Sequence, residues 1–174
     1  MGVNYQREPF TNDLAVEVMP LLELHYHEIA SFKDIPLAPD FTAYKQREAD
    51  GLLRVYTARE DGKLIGYACF FFARNLHYST SVQAVQDVLY IDPGQRGRGF
   101  GPEFLAFCDA ALAADGAEVV FHHVKEAHPA LGILLSRMGY GATERIWAKR
   151  LNAAAKEEEN EKVDEEEETE EEDF

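Results

Sequence analysis

The chain carries the stretch LYIDPGQRGRGFGP at residues 89–102. An apolar run with strand character meets a Pro-Gly break, and a basic loop dense in glycine leads into a segment with helical periodicity. This order gathers bare backbone N–H groups, Arg96, Arg98 and a helix N-terminus around one point, which is how proteins hold phosphate or pyrophosphate. Glycine permits the close backbone approach and the unusual φ and ψ values of such a loop. The stretch therefore predicts a site for a phosphate-bearing cofactor.

Three kinds of nucleotide-binding loop compete for this stretch. A Walker loop requires G-x-x-x-x-G-K-[ST], and Gly94 and Gly99 have its spacing, but phenylalanine and glycine follow where Lys and Ser or Thr are needed. A dinucleotide fingerprint requires G-x-G-x-x-G in a parallel βαβ unit. Gly97 and Gly99 begin it, but a proline stands at its third glycine. The third pattern, [RQ]-x-x-G-x-[GA], is satisfied in full by residues 96–101.

With Leu-Tyr-Ile-Asp-Pro directly upstream, this third pattern resembles the acyl-CoA pyrophosphate loop of the Gcn5-related N-acetyltransferases, the GNAT family. The resemblance covers about residues 3–151, is densest at 86–105, and recurs at 134–140, where the family often ends its last short helix. It implies an acyltransferase that moves an acetyl group from acetyl-CoA, its co-substrate, to a primary amine on a small molecule or protein.

The periodicity along the chain predicts the element order β-α-α-β-β-β-α-β-α-β. An Asp-Gly pair at 61–62 lies between two alternating runs, which is a strong hairpin signal. The helix that follows the loop makes its two neighbouring strands parallel. We therefore expect an α+β fold with a mixed, mostly antiparallel sheet and helices on both faces, as in the GNAT fold. The expected strands span residues 3–8, 53–59, 64–73, 82–91, 118–124 and 143–151, and the expected helices begin near Asn12, Asp40 or Thr42, Pro102 and Pro129.

Charge separates the body of the chain from its end. The 174 residues include 32 acidic and 17 basic side chains, of which 13 and 2 lie in residues 156–174, so the remainder has a net charge of −4. The acidic end repels itself and has almost nothing to bury. We predict a GNAT domain over 1–152 and a disordered acidic tail over 153–174, which could contact a basic partner.

Composition also predicts where the protein acts. There is no apolar run of membrane-spanning length, no signal peptide, and no basic stripe with aromatic residues that would favour nucleic acid. Cys69 and Cys108 lie in apolar segments, which favours reduced thiols over a disulfide. We expect a cytoplasmic protein, in a bacterium or a phage-infected host, that is a monomer or homodimer and binds neither membrane nor nucleic acid.

The family resemblance implies the cofactor site. The strand before the loop would splay from its parallel neighbour, and pantetheine would pair with the exposed backbone there. Since Pro102 lacks the N–H that the family commonly uses after the last glycine, one phosphate contact should be absent or made differently, and Arg96 or Arg98 could compensate by charge. His128 lies where the family often has an asparagine that contacts the cofactor. The implied cofactor-binding residues are Leu89, Tyr90 and Ile91 for pantetheine and, through their N–H groups, Arg96, Gly97, Arg98, Gly99, Phe100 and Gly101 for pyrophosphate.

Acetyl transfer needs a base, an oxyanion donor and an acid. By analogy with the family, the N–H of Ile91 is the oxyanion donor. His123 and Asp87 are candidate bases: an imidazole titrates near neutral pH, and Asp87 has the parity of Leu89 and Ile91 along its strand. His122 and His123 are adjacent, so on a strand only one of them could face the cleft.

The acid is harder to assign. Leu135 stands where the family often has a tyrosine. Water, Ser136 or Tyr140 could protonate the thiolate instead, or turnover could be lost, which would leave an acyl-CoA binder without catalysis. An interaction protein that works through its acidic tail is the third possibility.

The acceptor is expected near the end of the first helix, at His25-Tyr26-His27-Glu28, where the family builds its acceptor pocket. Tyr26, His27 and Phe32 are the expected rim. The two histidines of His-x-His diverge on a helix and no further ligand spacing completes a site, so no metal is expected. The sequence does not identify the acceptor amine.

Overall fold

The computed structural model describes residues 2–151, and its core is a sheet of five strands in the order β1-β2-β3-β4-β5. The first four strands pair antiparallel with their neighbours, and β5 pairs parallel with β4. This confirms the expected α+β class and its mostly antiparallel sheet. The elements are β1 Val3–Arg7, α1 Asn12–Ile29, α2 Phe41–Ala49, β2 Leu53–Glu60, β3 Lys63–Arg74, β4 Val82–Ile91, a 3₁₀ turn Pro93–Gln95, α3 Phe100–Ala114, β5 Val119–Phe121 and α4 Ala130–Arg137.

Helices cover both faces of the sheet because side chains alternate along its strands. On one face α1 packs Leu14, Val18 and Leu21 against strand residues that include Val55 and Tyr67; we call this the α1 cluster. On the other face α3 packs its apolar stripe against the opposite set of strand residues; we call this the α3 cluster, which includes Tyr56, Ile65, Phe70, Phe104, Cys108 and Leu112. Cys69 lies in the α1 cluster and Cys108 in the α3 cluster, and both are free thiols. Their burial raises the pKa of both thiols.

The helices begin close to the expected residues, with one difference, in α3. α1 begins at Asn12, and Thr11 caps it, because its hydroxyl accepts a hydrogen bond from the N–H of Leu14 at 3.1 Å. Pro20 is exposed within α1, which continues past it to Ile29. α3 begins at Phe100 and not at Pro102. Proline is tolerated in this first turn, where N–H groups have no partner within the helix.

The end of the fold departs most from expectation. β5 spans only Val119–Phe121, so His122 and His123 lie beyond it, in a segment without regular structure. Residues 2–140 belong to one compact unit. In the second unit, the prediction of a strand over 143–151 is wrong. Residues 141–151 form no ladder of backbone hydrogen bonds, and Trp147 is 86% exposed. The acidic tail predicted for 153–174 lies outside the described residues.

Within residues 2–151, no helix is both long enough and apolar enough to span a membrane.

Candidate functional site

The central feature is an opening between β4 and β5. The two strands pair only at Gln83–Val119, Ala84–Val120 and Val85–Phe121. Where the backbone pairing stops, the side chains of Gln86 and His122 continue it, with 2.7 Å between Gln86 Oε1 and His122 Nδ1. Within the described chain, residues 86–91 of β4 therefore pair only with β3. Their other edge is open, and an open strand edge can bind an extended ligand through backbone hydrogen bonds.

The alternation of the antiparallel ladder determines which β4 residues face this edge. The N–H of Asp92 donates to the carbonyl of Ile65 at 2.9 Å, so Asp92 bonds toward β3. Because successive residues alternate in direction, Tyr90 also bonds toward β3, whereas Leu89 and Ile91 direct their N–H groups to the open edge. Of the three residues expected to pair with pantetheine, Leu89 and Ile91 have the required backbone direction, and the N–H of Ile91 is free to act as an oxyanion donor. Both roles stay predictions.

Asp87 occupies a β-bulge. Cys69 pairs with Val88 and Phe70 with Gln86, so Asp87 has no partner in β3. Its carboxylate accepts a hydrogen bond from the hydroxyl of Tyr44 in α2. The expected shared parity of Asp87 with Leu89 and Ile91 is wrong, because the extra residue shifts the alternation. Asp87 faces α2, on the side of the α1 cluster that Val88 also contacts, whereas Leu89 and Ile91 pack against the α3 cluster.

The loop after β4 presents a row of free donors. Five consecutive N–H groups, from Gly97 to Gly101, donate no hydrogen bond to any described residue. Gly97 and Gly99 have φ values of +80° and +88°, which favour glycine. Successive N–H groups in such conformations form a concave anion site, and the N-terminus of α3 adds its positive dipole. Pro102 follows directly, so the row ends there.

Both arginines of the loop form ion pairs with carboxylates. Arg96 donates to both oxygens of Glu28 in α1, at 2.7 and 2.8 Å, and its Nε donates to the carbonyl of Ile91 at 3.0 Å. Its guanidinium also lies 5.0 Å from the centre of the Tyr90 ring. These hydrogen bonds hold the pKa of Glu28 below its usual value. Arg96 therefore anchors the loop to α1 and β4 instead of projecting freely toward a phosphate.

Arg98 has a similar pair on the other side of the loop. It donates to Glu60 in β2 at 2.9 and 3.2 Å and lies over the ring of Phe100, 4.6 Å from its centre. Compensation for Pro102 by either guanidinium would have to come from the N–H donors that these ion pairs leave unused, with the side chain held beside its carboxylate. The backbone N–H row is thus the principal anion-binding feature.

We expect Arg96→Met to weaken acetyl-CoA binding about tenfold, because the loop loses its bidentate pair and the bond to Ile91 while its N–H groups remain. Titration calorimetry with acetyl-CoA measures the change. Arg74→Met is the control, since Arg74 is exposed and lies outside the loop, with its guanidinium donating to the carbonyl of Ser79 at 3.1 Å. Equal affinities in both variants and the unmodified protein would show that the anchor does not shape the loop.

The candidate acids are placed as follows. Leu135 is buried and supplies no hydroxyl, and Ser136 on the same helix is exposed. The Tyr140 hydroxyl lies 2.5 Å from the carboxylate of Asp109 in α3, to which it donates. Burial and this carboxylate raise the pKa of Tyr140, which makes the phenol a weaker acid. Protonation of the thiolate by water is therefore the alternative that these contacts favour.

A cleft of about 210 Å³ lies beside α1. Of the expected rim, Tyr26 lines it, and its hydroxyl lies 2.9 and 2.7 Å from the carbonyls of Lys33 and Ile35, which ties the following loop to α1. His27 and Phe32 do not line it; His27 is exposed and Phe32 is 37% exposed. The lining comprises Leu22, His25, Tyr26, Ile29, Ala30, Leu37, Val88 and Lys125.

His25 is held neutral at the inner wall of this cleft. It stacks on Tyr90, with ring centres 4.6 Å apart, and its Nδ1 lies 3.0 Å from the hydroxyl of Tyr67. Burial lowers the pKa of His25 to about 4; the charge of Glu28 opposes this shift, and those of Arg96 and Lys125 add to it. The ring is therefore uncharged at neutral pH and contributes no positive charge to the cleft.

The other histidines lie apart from this wall. His123 is exposed beyond β5, and His128 is exposed just before α4, with its N–H donating to the carbonyl of Lys125 at 2.9 Å. His122 packs its ring against Phe70 and Tyr140. Within residues 2–151 there is no group of three or more His, Cys, Asp or Glu side chains that could hold a metal ion.

The sequence model of the Acetyltransferase (GNAT) family matches residues 18–140, which is more than half of the chain. The chain belongs to the GNAT family. The matched range contains the open edge of β4, the loop of free N–H groups and the cleft beside α1. None of the curated proteins matches this GNAT chain in sequence.

Solved structures share the fold of this GNAT protein. An aminoglycoside acetyltransferase from an uncultured soil metagenomic sample matches 86% of this chain and 95% of its own, with a TM-score of 0.69 and 15% identity. Ribosomal-protein-alanine N-acetyltransferase from Brucella melitensis matches 86% of this chain and 99% of its own, with a TM-score of 0.66 and 16% identity. A predicted acetyltransferase from Clostridium acetobutylicum, solved with acetyl-CoA, matches 87% of this chain and 97% of its own, with a TM-score of 0.64 and 16% identity. At such identities the likeness establishes the fold alone.

Several residues of the site were missed by the sequence interpretation. Glu28 and Glu60 are the partners of the loop arginines, Tyr44 is the partner of Asp87, and Gln86 bridges the opening to His122. Each contact joins residues more than 35 positions apart, so no local spacing indicates it. The one available signal was the acidic side chain of Glu28 at the end of the predicted first helix.

Proposed function

We propose that this GNAT protein transfers an acetyl group from acetyl-CoA to a primary amine on a small molecule or protein. The row of five free N–H groups from Gly97 to Gly101 carries the proposal. Hydrogen bonds to a charged acceptor contribute about 1.5–3 kcal/mol each, so several of them support micromolar binding of a pyrophosphate. The open edge of β4 leads to this loop and offers backbone groups of Leu89 and Ile91 to an extended pantetheine arm.

The residues have distinct roles in this proposal. Acetyl-CoA, when bound, supplies the acetyl thioester. The N–H of Ile91 would donate to the carbonyl oxygen of the thioester and stabilise the negative charge that develops there. Asp87 is the preferred base, because it faces the same side of the sheet as Val88, which lines the cleft. The hydroxyl of Tyr44 orients its carboxylate, and His123 is the rival base.

Asp87→Asn should lower kcat about 100-fold with little effect on acetyl-CoA affinity, since general-base catalysis typically contributes 10²–10⁴-fold. Asparagine keeps the acceptor oxygen for Tyr44, so the bulge should be retained. Steady-state release of free CoA measures kcat, and calorimetry measures affinity. His123→Gln is the matched comparison, and a large loss there with an active Asp87→Asn enzyme would move the base to His123.

The basic test is incubation of the full chain with acetyl-CoA and a panel of primary amines, followed by mass spectrometry of the amines and assay of free CoA. Acetylated product with matching CoA release supports transfer. Tight binding of acetyl-CoA without transfer to any amine would instead support a non-catalytic acyl-CoA binder. The buried Leu135 and the hydrogen bond of Tyr140 to Asp109 favour that second candidate. A cytoplasmic location and a monomeric or homodimeric state stay predictions.

A further inference from the structure

The cleft beside α1 has walls that are almost entirely apolar. Leu22, Ile29, Ala30, Leu37 and Val88 supply aliphatic side chains. Pockets for drug-sized ligands have volumes of about 300–1,000 Å³, and this cleft of about 210 Å³ is smaller. It therefore suits the apolar body of one small molecule better than a large polar acceptor.

The charge in the cleft is concentrated at one point. Lys125 is the one charged side chain among the eight described residues of the lining, and its Nζ lies 3.3 Å from the hydroxyl of Ser31. That contact uses one of its three N–H donors and leaves two for a ligand. The lining contains neither Asp nor Glu.

The neighbouring carboxylates are already engaged. Glu28 is paired with Arg96 through both oxygens, and Asp87 accepts from Tyr44. His25 is neutral because burial lowers its pKa, and it adds no positive charge; the charge of Glu28 on the ring opposes those of Arg96 and Lys125. Lys125 is thus the one positive group that the lining itself supplies, and it attracts an anion and repels a polycation at its end of the cleft.

We infer that the acceptor is a small amine with an apolar body and a carboxylate, and that Lys125 binds this carboxylate. The inference rests on the proposed function, because it treats the cleft as the acceptor site. An apolar α-amino acid such as leucine belongs to this class, whereas the amide of the same amino acid lacks the charge that Lys125 recognises. A polyamine lacks the carboxylate and carries charges of the wrong sign.

The test compares L-leucine, L-leucinamide and spermidine as ligands of the acetyl-CoA-loaded protein, by calorimetry and by kcat/KM for acetylation. The unmodified protein should prefer leucine to leucinamide at least tenfold. Lys125→Met should reduce this ratio to about one, and Lys125→Glu should reverse it. Lys63→Met, at an exposed position of the β2–β3 hairpin, should keep the original ratio.

Two separate readouts distinguish failure of the inference from failure of the proposed function. Equal affinity for leucine and leucinamide, no binding of either, a ratio that Lys125→Met leaves unchanged, or preference for spermidine would each overturn the inference. Absence of acetyl-CoA binding would overturn the proposed function instead. In that case the calorimetric comparison of leucine with leucinamide is made on the protein alone, because binding in the cleft requires neither turnover nor cofactor.

Discussion

Gly99→Val should lower the affinity for acetyl-CoA at least about 100-fold, which is the largest effect expected on the proposed site. Gly99 has a φ of +88°, a conformation that a β-branched residue avoids at a cost of about 1–3 kcal/mol. Relief of that strain would turn the peptide groups on either side of residue 99 and break the row of free N–H groups. The new side chain would also lie beside these N–H groups and could cover them from the ligand.

The substitution should leave the fold intact. A Cβ at position 99 would have only the Glu103 carboxylate near it, at 4.0 Å, so no core atom is displaced. Gly51→Val is the matched control, because Gly51 has a φ of +74°, a Cβ there would have no atom within 4 Å, and the position lies after α2, outside the site. Calorimetry should give lost binding for Gly99→Val and unchanged binding for Gly51→Val. Thermal denaturation should give similar small losses of stability for both. Unchanged affinity in Gly99→Val would remove the loop from the cofactor site.

The local parts of this site could be predicted from the sequence. The loop, the strand before it and the helix after it are contiguous, so turn residues and periodicity define them without long-range information. β4 has the predicted bounds, Val82–Ile91, for the same reason. The Asp-Gly pair likewise predicted the β2–β3 hairpin, because a tight turn is encoded in two residues.

The parts that depend on pairing between distant segments could not be predicted. The bulge at Asp87 arises from the register between β3 and β4, and it moves the carboxylate to the opposite face of the sheet. The length of β5 depends on how far β4 stays within hydrogen-bonding distance of it, and the apolar composition of the segment does not predict that. His122 and His123 lie beyond the end of β5, so the alternation of a strand, which the sequence predicted for them, does not apply. The ion pair of Arg96 with Glu28 spans 68 positions and has no local signature.

We expect the free energy of unfolding to fall by about 4 kcal/mol between pH 7 and pH 5, mainly through His25 and His122. Burial lowers the pKa of each ring to about 4, against about 6.5 in an unfolded chain. The unfolded state thus binds more protons between these values. The contribution of the two rings to the free energy of unfolding is therefore present above pH 6.5 and is lost progressively between pH 6.5 and about pH 4. Each ring contributes about 2 kcal/mol of this loss at pH 5, a large part of the 5–15 kcal/mol typical of a domain.

Urea denaturation at pH 7 and pH 5 measures the effect, and His25→Gln and His122→Gln should each remove about half of the difference. Glutamine can keep one polar contact to Tyr67 or Gln86. His77→Gln is the control, because His77 is exposed after β3. The lowered pKa values of Glu8 and Glu28 also cost stability in acid, but only as the pH falls through the carboxylate range near 4, below this window. The double variant His25→Gln/His122→Gln should lose most of the difference in the free energy of unfolding between pH 7 and pH 5. If it kept the full difference, burial would not be what holds either ring neutral.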